Sequence, residues 1–249
     1  MITATTTPVS ASSGSPVEAR RAWADVELIV LDMAGTTVGD DGAVEQAFAL
    51  AAERSGIGAG ADFETSLQYV RDTMGQSKID VFRHLANGDE EAAERGNAAF
   101  EGAYAEIVAR EGVSEIDGAA DVIRELRDAG ASVAFTTGFA PATRNAVLDA
   151  LGWQDLVEVA LSPVDAGRGR PHPDLPLTAL LRSGAPSVAA MVVVGDTRSD
   201  VEAGKRAGAG LVVGVLTGAH DRAALTDAGA DAVIASIRDL PALLGLRGE

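Results

Sequence analysis

Short apolar runs and longer amphipathic stretches alternate along most of this chain. The run LIVL at residues 28–31 is brief, rich in branched side chains and ends abruptly at Asp32. That pattern predicts a strand covered on both faces, as in a parallel sheet. From residue 116 onward the same kind of run returns in ASVAFTTG, LVEVAL, MVVVGD, LVVGVLTG and AVIA. Between them lie segments with helical periodicity: DGAADVIRELRDAG, PATRNAVLDALG, DLPLTALLRSG, RSDVEAGKRAG, DRAALTDAG and IRDLPALLG. Strands alternating with helices predict an α/β fold with a doubly wound parallel sheet. The segment SPVDAGRGRPHP reads as a loop, and there is no long repeat.

Residues 42–112 break the alternation. AVEQAFALAAERSG, ADFETSLQYVRDTMG and SKIDVFRHLA all read as helices, the last with Ser77 placed to cap it. DEEAAERGNAAFEGAYAEIVAREG is a long helical stretch expected to be interrupted at Gly96 and Gly102. No convincing strand occurs in this block, so an all-helical unit sits between the first and second strands. The first 23 residues are rich in Ser, Thr and Pro and lack periodic apolar positions, which predicts a disordered tail. The expected organisation is therefore a tail at 1–23, an α/β core at 24–40 and 114–249, and a helical unit at 41–113.

Composition narrows the function. Of the 249 residues 47% are hydrophobic and only 4% aromatic, so Ala, Val and Leu must fill most of a sizeable core. The net charge of −17 argues against a nucleic-acid surface, which needs a basic patch. An anionic small molecule is still admissible, because local cations can dominate a pocket. There is no cysteine, which excludes disulfides and thiolate metal sites. No apolar stretch approaches the roughly 18 residues of a membrane helix. The N-terminus lacks the basic and apolar regions of a secretory signal, so a cytoplasmic location is expected.

The chemistry gathers at strand ends. Asp32 ends the first run, and Gly35 gives the chain a sharp turn with exposed N–H groups. A carboxylate there stands where open α/β sheets bind ligands. The run at 191–194 ends in Gly195-Asp196, and Asp200 follows. Three carboxylates meeting at one sheet edge repel unless a cation lies among them, and an oxygen-only donor set suits Mg²⁺. Asp200 also suits the first turn of the next helix.

The ordered set DMAGT, TTG, GRPHP and GDTRSD resembles the haloacid dehalogenase superfamily, and more narrowly its phosphonatase branch, over roughly residue 26 to the C-terminus. The resemblance implies a Rossmann-like core with an inserted helical cap and Mg²⁺-dependent phosphoryl transfer through an aspartyl phosphate on Asp32. It implies metal binding by Asp32, Asp196, Asp200 and the backbone carbonyl of Ala34. Gly35, Thr36, Thr136, Thr137 and Gly138 are the expected phosphate-binding groups, with Thr137 preferred over Thr136. Arg170 takes the place of the Lys that most of the superfamily has in the third motif, and its fork suits phosphoryl oxygens; Arg168 lies close enough to compete for the assignment. Ala34 stands where conventional phosphatases of the superfamily carry an acidic general acid, and it cannot donate a proton. That points to a carbon leaving group.

The segment MGQSKID, residues 74–80, resembles the cap segment in which phosphonatase carries a Schiff-base lysine. The resemblance implies that Lys78 condenses with an aldehyde substrate and that Met74 contacts it. Three positions depart from the phosphonatase pattern: Val81 replaces a His, Phe139 a Tyr and Met33 a Trp. His172 reads as a loop residue, and His84 and His220 show no partner in sequence. The expected function is hydrolysis of phosphonoacetaldehyde or a related phosphonate. The rival enzyme reading is a phosphatase for a small phosphate ester, with Lys78 only binding substrate; the rival outside enzymology is an inactive binding protein on the same fold. The resemblance also implies a homodimer formed through the cap.

Overall fold

The computed structural model describes residues 25–247. The expected tail at 1–23 lies outside the described residues. Strand β1 (Leu28–Asp32) is buried at all five positions. It is followed by α1 (Ala43–Ser55), α2 (Phe63–Asp72), α3 (Lys78–Leu85), α4 (Glu90–Glu111) and α5 (Ala119–Asp128). Then come β2 (Ser132–Thr136), α6 (Pro141–Leu151), β3 (Val159–Leu161), α7 (Pro163–Ala166), α8 (Asp174–Ser183) and β4 (Met191–Gly195). The chain closes with α9 (Arg198–Ala207), β5 (Leu211–Val215), α10 (Arg222–Asp227), β6 (Ala232–Ile234) and α11 (Leu240–Leu243).

The six strands form one parallel sheet in the order β3-β2-β1-β4-β5-β6. The chain winds outward from β1 to β2 and β3, then crosses back to β4 on the other side. β1 and β4 thus flank the point where strand order reverses, the place where such sheets leave a crevice at their carboxyl ends. Register brings the motifs together: Asp32 pairs with Thr136, and Leu31 with Val194, so the strand ends carrying Asp32, Thr137 and Asp196 stand side by side.

Helices α1 to α4 occupy the space between β1 and β2 in sequence. α1 lies along α4, and α3 also packs on α4. Their shared apolar filling includes Phe48, Phe82, Phe100 and Tyr104, all buried, in a run of ring contacts about 6 Å apart. The structure corrects one expectation here: α4 is a single uninterrupted helix through Gly96 and Gly102. Gly96 is required where α3 crosses, since a Cβ there would fall 2.5 Å from the Phe82 ring. Packing outweighs the roughly 1 kcal/mol helix penalty of a glycine.

Two smaller expectations also change. Ser77 precedes α3 but makes no side-chain cap bond; it is buried against Gly169, where an added Cβ would come within 2.6 Å of the Ser77 Cβ. The loop after β3 contains the short helix α7, held by Asp165, whose Oδ2 accepts the Ser162 N–H at 2.8 Å.

Candidate active site

The floor of the site is built by strand ends. Asp32 finishes β1, Asp196 follows β4, and Asp200 lies in the first turn of α9. All three are buried, and each offers a carboxylate oxygen within 4.8 Å of the others. Arg170 is their counter-ion: its Nη1 donates to Asp32 Oδ1 at 2.6 Å and also contacts Asp200 Oδ1. Arg170 is itself 4% exposed, and its Nε has no partner among the described residues. Arg168, its rival in sequence, is exposed and tied to Asp174 at 2.8 Å, so the geometry separates the two arginines.

Asp196 is wedged between glycines. Gly35 has φ +85°, and a Cβ on it would fall 2.5 Å from Asp196 Oδ2; Gly218 leaves no room for one either. Thr36 donates its hydroxyl to Asp196 Oδ1 at 3.1 Å, and the Ala219 N–H donates to Oδ2 at 2.8 Å. Burial, and next the charge of Asp32, push Asp196 up to about 7. Asp200 serves α9 and the site at once. Its Oδ2 accepts the Thr197 N–H at 3.1 Å and the Thr197 hydroxyl at 2.5 Å, while Oδ1 faces Arg170. Three buried carboxylates against one guanidinium leave a local charge of two negatives if all are ionised, and this all-oxygen donor set fits a divalent metal.

Above the floor a cavity of about 570 Å³ opens toward the helical unit. Its lining brings together Asp32, Ala34, Gly35, Met74, Lys78, Thr137, Gly138, Arg170 and Asp196. Thr36 and Thr136 are buried beside it without lining it; Thr36 is engaged with Asp196, and Thr136 lies within the β1–β2 ladder.

Lys78 enters from the first turn of α3, 7% exposed. Its Nζ lies 5.8 Å from the centre of the Phe100 ring and 6.0 Å from that of Phe139. Burial lowers it to about 8; Arg170 acts in the same direction, while Asp40, Asp32 and Glu101 oppose. Three close fits hold this segment on the sheet. A Cβ at Gly75 would strike the Thr197 hydroxyl, one at Gly138 would strike the Gln76 carbonyl, and one at Gly169 would strike Ser77.

Several participants carry no signature in the sequence. Asp40 lines the cavity, and Glu101 reaches from α4 to the start of α6, where it accepts the Ala140 N–H at 3.4 Å and contacts the Thr143 hydroxyl. The loop at 217–220 steadies the floor: Thr217 donates to the Gly35 carbonyl at 2.7 Å. His220 accepts the Arg198 N–H on Nδ1, and His84 stacks on Tyr69. The only advance sign of that loop was another apolar run ending at a glycine-rich turn, LVVGVLTG.

Comparison with known proteins agrees with this geometry. Residues 26–208 match the haloacid dehalogenase-like hydrolase family. Phosphonoacetaldehyde hydrolase of Bordetella pertussis is 30% identical over 219 residues, covering 78% of this chain and 74% of its own length. The crystal structure of a phosphonoacetaldehyde hydrolase like protein from Oleispira antarctica superposes with a TM-score of 0.77 at 26% identity, covering 90% of this chain and 93% of that one. A haloacid dehalogenase family hydrolase from Deinococcus radiodurans, crystallised with bound phosphate and sodium, is 28% identical with a TM-score of 0.63, covering 90% of this chain and 96% of that one. The chain belongs to the haloacid dehalogenase-like hydrolases, in their phosphonatase-like branch.

Proposed function

We propose that this protein is a Mg²⁺-dependent hydrolase of phosphonoacetaldehyde or a closely related phosphonate. The observation that carries the reading is a buried lysine with a depressed pKa sharing one cavity with Asp32. Asp32, Asp196, Asp200 and the Ala34 carbonyl would hold Mg²⁺, which supplies positive charge for the phosphoryl oxygens. Arg170 orients Asp32 and lines the cavity that would receive those oxygens, where its fixed positive charge offsets theirs. Thr137, Gly138 and Gly35 line the path of the phosphoryl group.

In this reading the Lys78 amine condenses with the aldehyde and loses water to give an iminium. Asp32 attacks phosphorus, and the C–P bonding electrons move into the iminium to give an enamine. Water then cleaves the aspartyl phosphate, and protonation and hydrolysis of the enamine free the aldehyde and Lys78. Ala34 has no proton to give, which this route tolerates because the iminium accepts the electrons. Met74 packs against the bound substrate. The helical unit at 41–113 acts as a cap on a core formed by 24–40 and 114–249. A homodimer through the cap and a cytoplasmic location complete the proposal.

A phosphate-ester hydrolase is the second reading. The apolar Phe139 ring, 6.0 Å from the amine, favours it, because that side of Lys78 has no group to move a proton for an imine. A side-by-side assay of phosphonoacetaldehyde and a panel of phosphate esters, with Mg²⁺ and with borohydride added during turnover, separates the two. The phosphonatase reading requires phosphate release from the phosphonate and a reduced adduct on Lys78. Release from esters alone, with Lys78 unmodified, replaces it with the second reading.

A further inference from the structure

An amine that alternates between ammonium, free amine and iminium needs a neighbour to carry its proton. The rings against Lys78, Phe100 and Phe139, cannot do so. The charged groups that face it are Asp40 at the entry to α1, Glu101 of α4, and Asp32 and Arg170 of the floor. Arg170 stays protonated, and Asp32 is bonded to it. Glu101 is engaged at the start of α6 by Thr143 and the Ala140 N–H. Asp40 differs from all of these. Its Oδ1 accepts the Val44 N–H at 3.2 Å, and among the described residues no hydrogen bond reaches its Oδ2. Its side chain lines the cavity that also holds Lys78 and Asp32.

Resting on the reading of Lys78 as a working amine, we infer that Asp40 is its proton partner. No ion pair joins the two side chains among the described residues, so the Asp40 carboxylate takes a proton from the Lys78 ammonium across one cavity water, leaving a free amine. The amine adds to the carbonyl carbon, and the nitrogen's extra proton moves to the carbonyl oxygen to give a carbinolamine. The protonated Asp40 then donates to the carbinolamine hydroxyl, the C–O bond breaks, water leaves, and the iminium remains beside a restored carboxylate. Burial raises Asp40, so it holds a proton more readily than a solvated carboxylate.

Asp40 also satisfies the second N–H of α1, a structural duty that any test must separate out. Asp40→Asn does this, because Asn caps as well as Asp but carries no charge or exchangeable acid proton. The chain has only two lysines, Lys78 and Lys205, and exposed Lys205 serves as the internal reference. Trace acetylation of the full chain across pH, read by mass spectrometry, gives a midpoint for each amine without any substrate. We expect Asp40→Asn to lower the Lys78 midpoint by about one pH unit and leave Lys205 unmoved, with Asp40→Glu restoring the native value. Borohydride trapping with phosphonoacetaldehyde at neutral pH should nevertheless slow by roughly 10²-fold in Asp40→Asn, although more free amine is present. A purely structural role moves neither reading in this opposed way. An unchanged Lys78 midpoint, or trapping by Asp40→Asn as fast as by the native chain, overturns the inference. If the native chain itself gives no adduct, the aldehyde reading fails, while the acetylation midpoint alone still decides whether Asp40 governs the Lys78 proton.

Discussion

The floor and the wall of the cavity surround their buried charges with different partners. On the floor, Asp32, Asp196 and Asp200 are bound by N–H groups, hydroxyls and a guanidinium, supplied by the loops beyond the strand ends and by the start of α9. On the wall, Lys78 is flanked by the Phe100 and Phe139 rings, and its nearest charges act through space. Burial disfavours charge in both places, raising Asp196 on the floor and lowering Lys78 on the wall, but only on the floor do hydrogen bonds from Thr36 and Ala219 oppose it. One cavity thus sets a hydrogen-bonded carboxylate cluster beside an amine whose burial favours its neutral form.

Asp32→Asn breaks the floor most severely. We expect turnover to fall by more than about 10⁴-fold, beyond the range of a lost proton-transfer group, while a thermal melt stays near native. Activity within tenfold of native, with deamidation excluded by mass spectrometry, would falsify the nucleophile assignment. Asp196→Ala removes a carboxylate clamped by Thr36 and Ala219; the Mg²⁺ concentration for half-maximal activity should rise by about 10- to 100-fold, as for groups that hold a metal site together. Isothermal titration with unchanged Mg²⁺ affinity would count against it.

The wall is sharpened by pH. Lys78 is lowered to about 8, so kcat/KM for an aldehyde should drop by about tenfold per unit as pH falls below that value. Lys78→Arg, which cannot form an imine, should be inactive toward that substrate at every pH. The stability linkage has a definite sign. Between about 8 and the ordinary lysine value of 10.5 the unfolded chain binds more protons at this residue, so its contribution to stability rises with pH across that window. Denaturation midpoints flat over that window, once other groups are accounted for by Lys78→Met, would contradict the buried-amine picture.

The smallest effects lie in the helices behind the wall. Gly96→Ala drives a methyl into the Phe82 ring and should cost about 1–3 kcal/mol. Gly102→Ala meets open space on the same helix and should gain up to about 1 kcal/mol. Urea titrations of the pair measure how tightly α3 and α4 are fitted.

What the sequence revealed follows the same division. The floor was legible because Asp32 and Asp196 each end a short branched run, with Asp200 in the helix turn just after, and parallel register then forces the run ends together. The wall was legible only where a motif supplied it, at Met74 and Lys78. Asp40 and Glu101 were invisible because what matters is their distance in space from Lys78, and nothing in helical periodicity encodes it. Gly96 misled for a related reason: a glycine in a helical stretch reads as a break unless one knows that Phe82 lies against it. The helix α7 was missed because four residues leave no periodicity to detect.

The fits at Gly75, Gly138 and Gly169 have a consequence for how the segment at 75–77 tolerates change. They come from three distant parts of the chain, yet they form one seam with no clearance along which the segment at 75–77 is seated on the sheet. A seam of that kind behaves like a keyed joint: it is either seated or parted, since a packed interface offers few stable positions in between. A single methyl at any of the three glycines then acts as a doorstop that holds the segment at 75–77 off its seat.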